Sequence, residues 1–214
     1  PDTVLRQASA DLLDYAGTGL SIAELSHRSP QYEAVNTRLQ ENLRKLMNIP
    51  DEYAVLLIPG GATLQFAACL QNTVLRAGYS GDVDYLVSGF WSERAADEAK
   101  RLGVRTRIHR LCTRADDGTL RVQVPPIDSL GPVVYYCQNE TIDGVELPEL
   151  DFGNRLVLCD ASSNFLSRPV DIRRYGVLFA GAQKNIGPAG ITVVIGRRDL
   201  FLDKPSAIPT MIDY

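Results

Sequence analysis

The chain has 214 residues, 45% of them hydrophobic, and a formal net charge of −4. That length supports one substantial core and at most two small domains. An acidic balance without a long basic run disfavours a nucleic-acid partner. No apolar run approaches the roughly 20 residues of a membrane span, and the first residues do not read as a signal peptide. We therefore expect a globular protein that binds neither nucleic acid nor membrane.

Cysteine and histidine usage narrows the chemistry further. The four cysteines, which are widely separated and form no CxxC pair, are Cys69, Cys112, Cys137 and Cys159. This pattern favours a reducing, cytoplasmic compartment over a disulfide framework. With only two histidines, His27 and His109, a zinc site and a Ser-His-Asp hydrolase are both disfavoured.

Two helices are predicted at the start of the chain. Apolar residues at helical spacing predict the first over residues 2–16, with Gly17 as its stop. A second is predicted over 31–47, where Pro30 suits the first turn. The loop between them carries His27 and Arg28, which without further context would be ordinary surface residues.

A strand, a glycine turn and a helix come next. Residues 54–58, AVLLI, predict a strand buried on both faces, as in parallel sheets. A Gly-Gly turn follows and continues through Ala62 and Thr63 into a helix predicted from 64 to about 76. Such a turn presents free backbone N–H groups to an anion, although as a motif it is weak.

The only tryptophan follows a short strand predicted over 84–87. Trp91 stands at the junction with a helix predicted over 92–102, for which Ser92 is a plausible N-cap. Its side chain either packs in the core or offers a flat aromatic face to a planar ring.

More strands are predicted in the second half, together with a polar hairpin around residues 116–118. The predicted strands are 105–111, at a sheet edge, 133–137, 156–159, 177–179 and 191–195. Thr141 and Asp160 follow two of them. Lys184 follows a third, in a glycine-rich turn whose small residues would strip water from the amine and let it attack a carbonyl. A solvated loop lysine is the alternative.

Several of these polar or glycine residues stand where a strand ends, and in open parallel sheets that edge holds the ligand crevice. They are Thr63, Trp91, Thr141, Asp160 and Lys184. Together they would supply what pyridoxal phosphate requires: a lysine for its aldehyde, a helix end for its phosphate, an aromatic face for its ring and an acid for its ring nitrogen. The acid is needed because a carboxylate keeps that nitrogen protonated.

Three segments resemble the phosphoserine aminotransferase family of fold-type-I pyridoxal-phosphate enzymes. They are NETIDG at 139–144, the segment 159–177 and AGAQKNIGPAGITVVI at 180–195, with support from 17–29 and 60–66. The resemblance implies that residues 1–214 form most of an α/β large domain, which has a mainly parallel sheet flanked by helices. It also implies transamination between phosphohydroxypyruvate and glutamate in a homodimer.

By this resemblance, Lys184 forms the imine with the cofactor and Asp160 pairs with the ring nitrogen. Trp91 stacks on the ring, and Thr141 hydrogen-bonds its phenolic oxygen. The resemblance further gives the phosphate to Ala62, Thr63 and Gln183, and the substrate to His27 and Arg28.

Members of this family are longer, so we expect a fragment that lacks the family's extreme N-terminus and its small C-terminal domain and has weak or no activity alone. The alternatives are another small fold-type-I aminotransferase, or a non-catalytic fragment that keeps the fold and a dimer interface. A cysteine desulfurase is disfavoured because no cysteine lies in a glycine-rich loop. A nicotinamide-nucleotide protein would need a GxGxxG turn after its first strand, which is absent.

Overall fold

The computed structural model describes residues 1–201 and 207–214. It consists of an N-terminal unit, Pro1–Leu46, and a larger unit, Met47–Tyr214. None of the helices in these described ranges is long and apolar enough to cross a membrane.

The N-terminal unit contains helix α1 (Asp2–Leu13) and most of helix α2 (Pro30–Met47). The prediction that the first helix continues to residue 16 is wrong, because Asp14 has extended backbone angles (φ −157°, ψ 99°). The Asp14 carboxylate instead accepts a hydrogen bond from the Gly19 amide at 2.8 Å. This hydrogen bond favours an extended conformation at Asp14 over continuation of the helix. Short polar side chains often compete with helical structure in this way.

In its described residues, the larger unit contains two further α-helices, a short π-helical turn (Gln71–Leu75), several short 3-10 turns and eleven strands. The helices are α3 (Gly61–Leu70) and α4 (Phe90–Arg101). The strands are β1 (Tyr53–Pro59), β2 (Val83–Val87), β3 (Thr106–Arg110), β4 (Cys112–Arg114), β5 (Leu120–Val122), β6 (Val133–Cys137), β7 (Asn139–Glu140), β8 (Val145–Glu146), β9 (Leu156–Asp160), β10 (Val177–Gly181) and β11 (Ile191–Arg197).

Seven strands form the main sheet, in the order β1-β11-β10-β9-β6-β2-β3. The neighbours from β10 to β3 pair in parallel, which confirms the predicted mainly parallel α/β sheet and the edge position of β3. Strand β1 is predicted to be buried on both faces, as in parallel sheets, but it lies at the opposite edge of the sheet, pairs antiparallel with β11 and is only partly buried from Leu56 to Ile58. A continuous apolar run in the sequence indicates a buried strand, but it does not indicate whether the neighbouring strand runs parallel or antiparallel. Since β11 also runs antiparallel to β10, β1 still points the same way as the parallel strands.

The core lies between this sheet and helices α3 and α4. Phe66 of α3, Ala95 of α4 and Phe179 of β10 belong to one buried apolar cluster. The rings of Tyr85 and Tyr135, on neighbouring strands, stack with centroids 4.9 Å apart. This packing holds the starts of α3 and α4 at the edge where the parallel strands end.

At the other end of β2, Asp84 is fully buried and joins three segments. Arg107 and His109 of β3 bond its carboxylate, His109 at 2.6 Å, and the Gly131 amide donates to it at 2.6 Å. Burial raises the pKa of Asp84, but these hydrogen bonds outweigh it and hold the pKa below its usual value. The carboxylate therefore stabilises the fold above about pH 4, and this contribution is lost as the pH falls through the lowered pKa.

We expect Asp84→Asn to lower the free energy of unfolding at pH 7 by about 1–3 kcal/mol, because the substitution removes the buried charge that accepts hydrogen bonds from Arg107, His109 and the Gly131 amide. Denaturant unfolding measures this change, which should shrink below about pH 4. Asp82→Asn is the matched control: its ion pair with Arg105 is exposed, and its loss should cost less than about 1 kcal/mol. An equal loss of unfolding free energy in the two variants would contradict the conclusion that the buried Asp84 carboxylate stabilises the fold.

Candidate functional site

A cavity of about 380 Å³ opens at the edge where β6, β9 and β10 end. Seven of the nine site residues named from the sequence line it: Ala62, Thr63, Trp91, Thr141, Asp160, Gln183 and Lys184. Segments up to 122 residues apart in sequence, from Ala62 to Lys184, therefore meet around one space.

Asp160 is the last residue of β9, and parallel pairing places it beside Cys137 of β6 and Phe179 of β10. It is 4% exposed. Oδ1 accepts hydrogen bonds from the Ser162 amide at 2.9 Å and the Ser162 hydroxyl at 2.5 Å. No hydrogen bond from the described residues reaches Oδ2. Burial raises the pKa of Asp160 to about 6, against the opposing effect of the Ser162 hydrogen bonds.

The N-terminus of α3 forms a second part of the wall. The helix begins at Gly61 and not at the predicted residue 64, so Ala62 and Thr63 belong to its first turn. Gly60 (φ +100°) and Gly61 (φ +71°) adopt left-handed angles that other residues rarely accept, which permits the early start. No side chain caps this terminus. Its amide groups and the positive end of the helix dipole are thus available to an anion.

Trp91 lies in the first turn of α4, which starts two residues earlier than predicted. The indole is half-buried, and it meets the ring of Phe90 edge to face with centroids 5.0 Å apart. The prediction that Ser92 is the N-cap is wrong, because Gly89 holds that position. The Ser92 hydroxyl instead accepts a hydrogen bond from the Ser88 amide at 3.0 Å.

Lys184 lies in the loop between β10 and β11 and is exposed. The predicted removal of water from its amine is therefore wrong for this chain by itself, since small neighbours leave the side chain open to solvent. Gln183 lies close to the α3 terminus: a Cβ atom added at Gly181 would be 2.6 Å from Gln183 Oε1 and 3.3 Å from Ala62 Cβ. Glycine at position 181 makes this close approach possible.

The cavity is also lined by polar residues for which no role is predicted from the sequence. Asn139 and Ser163 hydrogen-bond each other twice, at 2.9 and 3.0 Å, and join the segments that follow β6 and β9. Ser162 bridges Asp160 and the Gly181 amide, which donates to its hydroxyl at 3.0 Å. Their position directly after a strand is the signal that could have identified them.

His27 and Arg28 belong to the N-terminal unit, in an exposed turn before α2. The Arg28 amide donates to the Ser26 hydroxyl at 3.3 Å. A substrate-binding role for these two residues stays a prediction.

The fold is that of the pyridoxal-phosphate-dependent aminotransferases. PLP-bound phosphoserine aminotransferase from Trichomonas vaginalis matches with a TM-score of 0.85 at 36% identity, over all of this chain and 63% of that one. An alanine–glyoxylate aminotransferase from Nostoc sp. shares the fold alone, with a TM-score of 0.69 at 18% identity.

Residues 1–207 match the aminotransferase class-V family, and the chain belongs to that family. It is 43% identical over 217 residues to phosphoserine aminotransferase of Acinetobacter baylyi. It is 42% identical over 218 residues to phosphoserine aminotransferase of Drosophila melanogaster. Both alignments cover the whole chain, which spans 59% of the length of the first relative and 58% of the length of the second.

The raised pKa of Asp160 has a consequence for stability. As the pH rises, the unfolded chain loses this proton near pH 4 and the folded chain only near pH 6, so stability falls between these values. We expect Asp160→Asn to raise the free energy of unfolding of the cofactor-free protein at pH 8 by about 1–3 kcal/mol.

Denaturant unfolding at pH 4 and pH 8 measures this effect, which should vanish at the lower pH. Asp116→Asn, at an exposed position of the β4–β5 hairpin, is the matched control and should change little at either pH. A loss of stability at pH 8 in Asp160→Asn would contradict the conclusion that the ionised Asp160 carboxylate destabilises the folded protein.

Proposed function

We propose that this protein is a pyridoxal-phosphate-dependent phosphoserine aminotransferase, which exchanges an amino group between glutamate and 3-phosphohydroxypyruvate in serine biosynthesis. The observation that carries the proposal is one cavity lined by Lys184, by the buried carboxyl of Asp160 and by the uncapped start of α3. The similarity to named phosphoserine aminotransferases over the whole chain selects this reaction from those of the family.

The residues present fit the cofactor. Asp160 Oδ2 accepts no hydrogen bond from the described residues and could receive one from a protonated ring nitrogen, and the first-turn amides of α3 suit a phosphate. When bound, pyridoxal phosphate supplies an aldehyde that bonds covalently to amines and a ring that withdraws electrons from the substrate's α-carbon. Thr141 would bond the phenolic oxygen of the ring, and Trp91 would stack on its face.

Lys184 has two tasks in this proposal. Its Nζ would hold the cofactor through the aldehyde carbon. As a neutral amine, Nζ would also be the general base that takes the proton from the substrate's α-carbon, and its conjugate acid would deliver that proton to the carbon that was the cofactor's aldehyde. The exposure of Lys184 in this chain leaves room for a substrate to reach it.

Asp160 holds a proton on the ring nitrogen. An ionised carboxylate beside a cationic ring attracts it by several kcal/mol at an effective dielectric near 20, by an order-of-magnitude estimate. The cation in turn favours the ionised form of Asp160, against the burial that raises its pKa in the cofactor-free chain. The two charges therefore stabilise each other when the cofactor is bound.

We assign the substrate carboxylate to Arg28, with His27 beside it. A guanidinium fork can bond both carboxylate oxygens at once. We also assign residues 1–214 to most of a large cofactor-binding domain, and propose a homodimer. The proposed compartment is the cytoplasm, which the four free thiols support.

Borohydride reduction of the protein after addition of pyridoxal phosphate should place a stable label on Lys184, which peptide mass spectrometry locates. Lys184→Ala should abolish the label and lower kcat by about 10²- to 10⁴-fold, the usual contribution of a general acid or base. Lys100→Ala, which removes an exposed lysine paired with Asp97, should change neither.

Steady-state turnover, measured with phosphohydroxypyruvate and with glyoxylate as amino acceptors, distinguishes between the reactions of the family. A higher kcat/KM with glyoxylate would replace the proposed substrate, and a label on a different lysine would overturn the assigned role of Lys184.

Arg28→Lys should raise the KM for glutamate about 10-fold with a smaller change in kcat, because an ammonium group cannot bond two carboxylate oxygens in the same fork. Steady-state kinetics measures the split. Arg6→Lys, at an exposed position of α1, is the control and should leave KM unchanged. An unchanged KM in the Arg28 variant would remove this residue from the substrate site.

A further inference from the structure

Glu140 is a fully buried carboxylate without an ion-pair partner among the described residues. It ends strand β7 and directly precedes Thr141, which lines the cavity. A buried charge of this kind is costly unless hydrogen bonds replace the water that it loses. Its contacts therefore show what the carboxylate is doing in the interior.

Within the described residues, the hydrogen bonds to the Glu140 carboxylate all come from the first turn of α4. Oε2 accepts from the Trp91 amide at 2.9 Å. Oε1 accepts from the Ser92 amide at 2.7 Å and from the Ser92 hydroxyl at 2.5 Å. The positive end of the helix dipole favours a negative charge at this place. Glu140 thus caps α4 from 48 and 49 residues away in sequence.

The N-cap residue of α4 is shaped for this approach. A Cβ atom added at Gly89 would lie 2.9 Å from Glu140 Cδ and even closer to the carboxylate of Asp143, so a larger residue would push both acids away. Asp143 Oδ2 accepts from the Phe90 amide at 2.7 Å. Two carboxylates of one segment therefore hold successive amides, but only Glu140 holds that of Trp91.

We propose that Glu140 is a positioning residue, which fixes Trp91 and its own neighbour Thr141 relative to each other on the wall of the cavity. A local N-cap side chain would stabilise α4 equally well but would leave the helix free to shift against the segment that carries Thr141. The consequence for cofactor binding rests on the proposed function. The hydrogen bonding itself does not.

Glu140→Gln tests the proposal, because the amide keeps the shape of the side chain but removes its charge and one of its two acceptor oxygens. In the cofactor-free protein, hydrogen exchange of the Trp91 and Ser92 amides should become about 10-fold faster. Pyridoxal phosphate, titrated by its absorbance, should bind about 10- to 100-fold more weakly, the scale seen when a group that orients a ligand-binding residue is lost.

Asp143→Asn is the matched control, since it weakens the cap at Phe90 and leaves the bonds to Trp91 in place. Its cofactor affinity should stay within about 2-fold of wild type if only Glu140 positions the ring-facing residues. If Glu140→Gln does not fold, Ser92→Ala, which removes one donor to Oε1, should weaken binding in the same direction by about 3-fold.

Unchanged exchange in Glu140→Gln would overturn the proposal. So would faster exchange with unchanged cofactor affinity, or an equal loss of affinity in Asp143→Asn, because either result would reduce Glu140 to an ordinary helix cap. If the wild-type protein binds no cofactor, the proposed function and the cofactor part of this inference fail together. Exchange then still decides whether Glu140 holds Trp91.

Discussion

The parallel pairing of β6, β9 and β10 is the constraint on which the cavity depends. It places Cys137, Asp160 and Phe179 side by side, so the segments that follow the three strands start at the same edge. The Ser162 hydroxyl then ties the Asp160 carboxylate to the Gly181 amide. A slip of one residue in this register would turn Asp160 to the other face of the sheet and separate it from Lys184.

Three buried carboxylates in the described part of the chain are treated differently, and the difference follows their surroundings. Asp84 is matched by an arginine, a histidine and a backbone amide, so the fold gains from its charge. Glu140 is matched by the amides of a helix terminus. Asp160 has only Ser162, and its charge is left partly uncompensated. A buried carboxylate that lowers stability is best explained by a cationic ligand that binds in the same cavity. For this reason Asp160 is a main support for the proposed function.

The sequence predicted the existence of the long elements well and their ends less well. The apolar runs of β6 and β9 are found almost as predicted, because a strand buried on both faces needs nothing but apolar residues. The predicted helix ends were wrong where a polar side chain bonded outside the helix, or where glycines adopted backbone angles that other residues rarely accept. Asp14 bonds the next turn in place of continuing α1, and the glycines at 60 and 61 let α3 start early. The competing contacts involve tertiary geometry that local spacing does not record.

The sequence by itself determined the class of sheet, the kinds of side chain that stand at its strand ends and the resemblance to a family, because hydrophobic period and residue type are local properties. Tertiary structure alone decided that β1 pairs with β11, that Lys184 is exposed while Asp160 is buried, and that Glu140 holds the start of α4. Those outcomes depend on which segments meet after folding. Burial and hydrogen bonding between residues far apart in the chain are properties of the packed molecule.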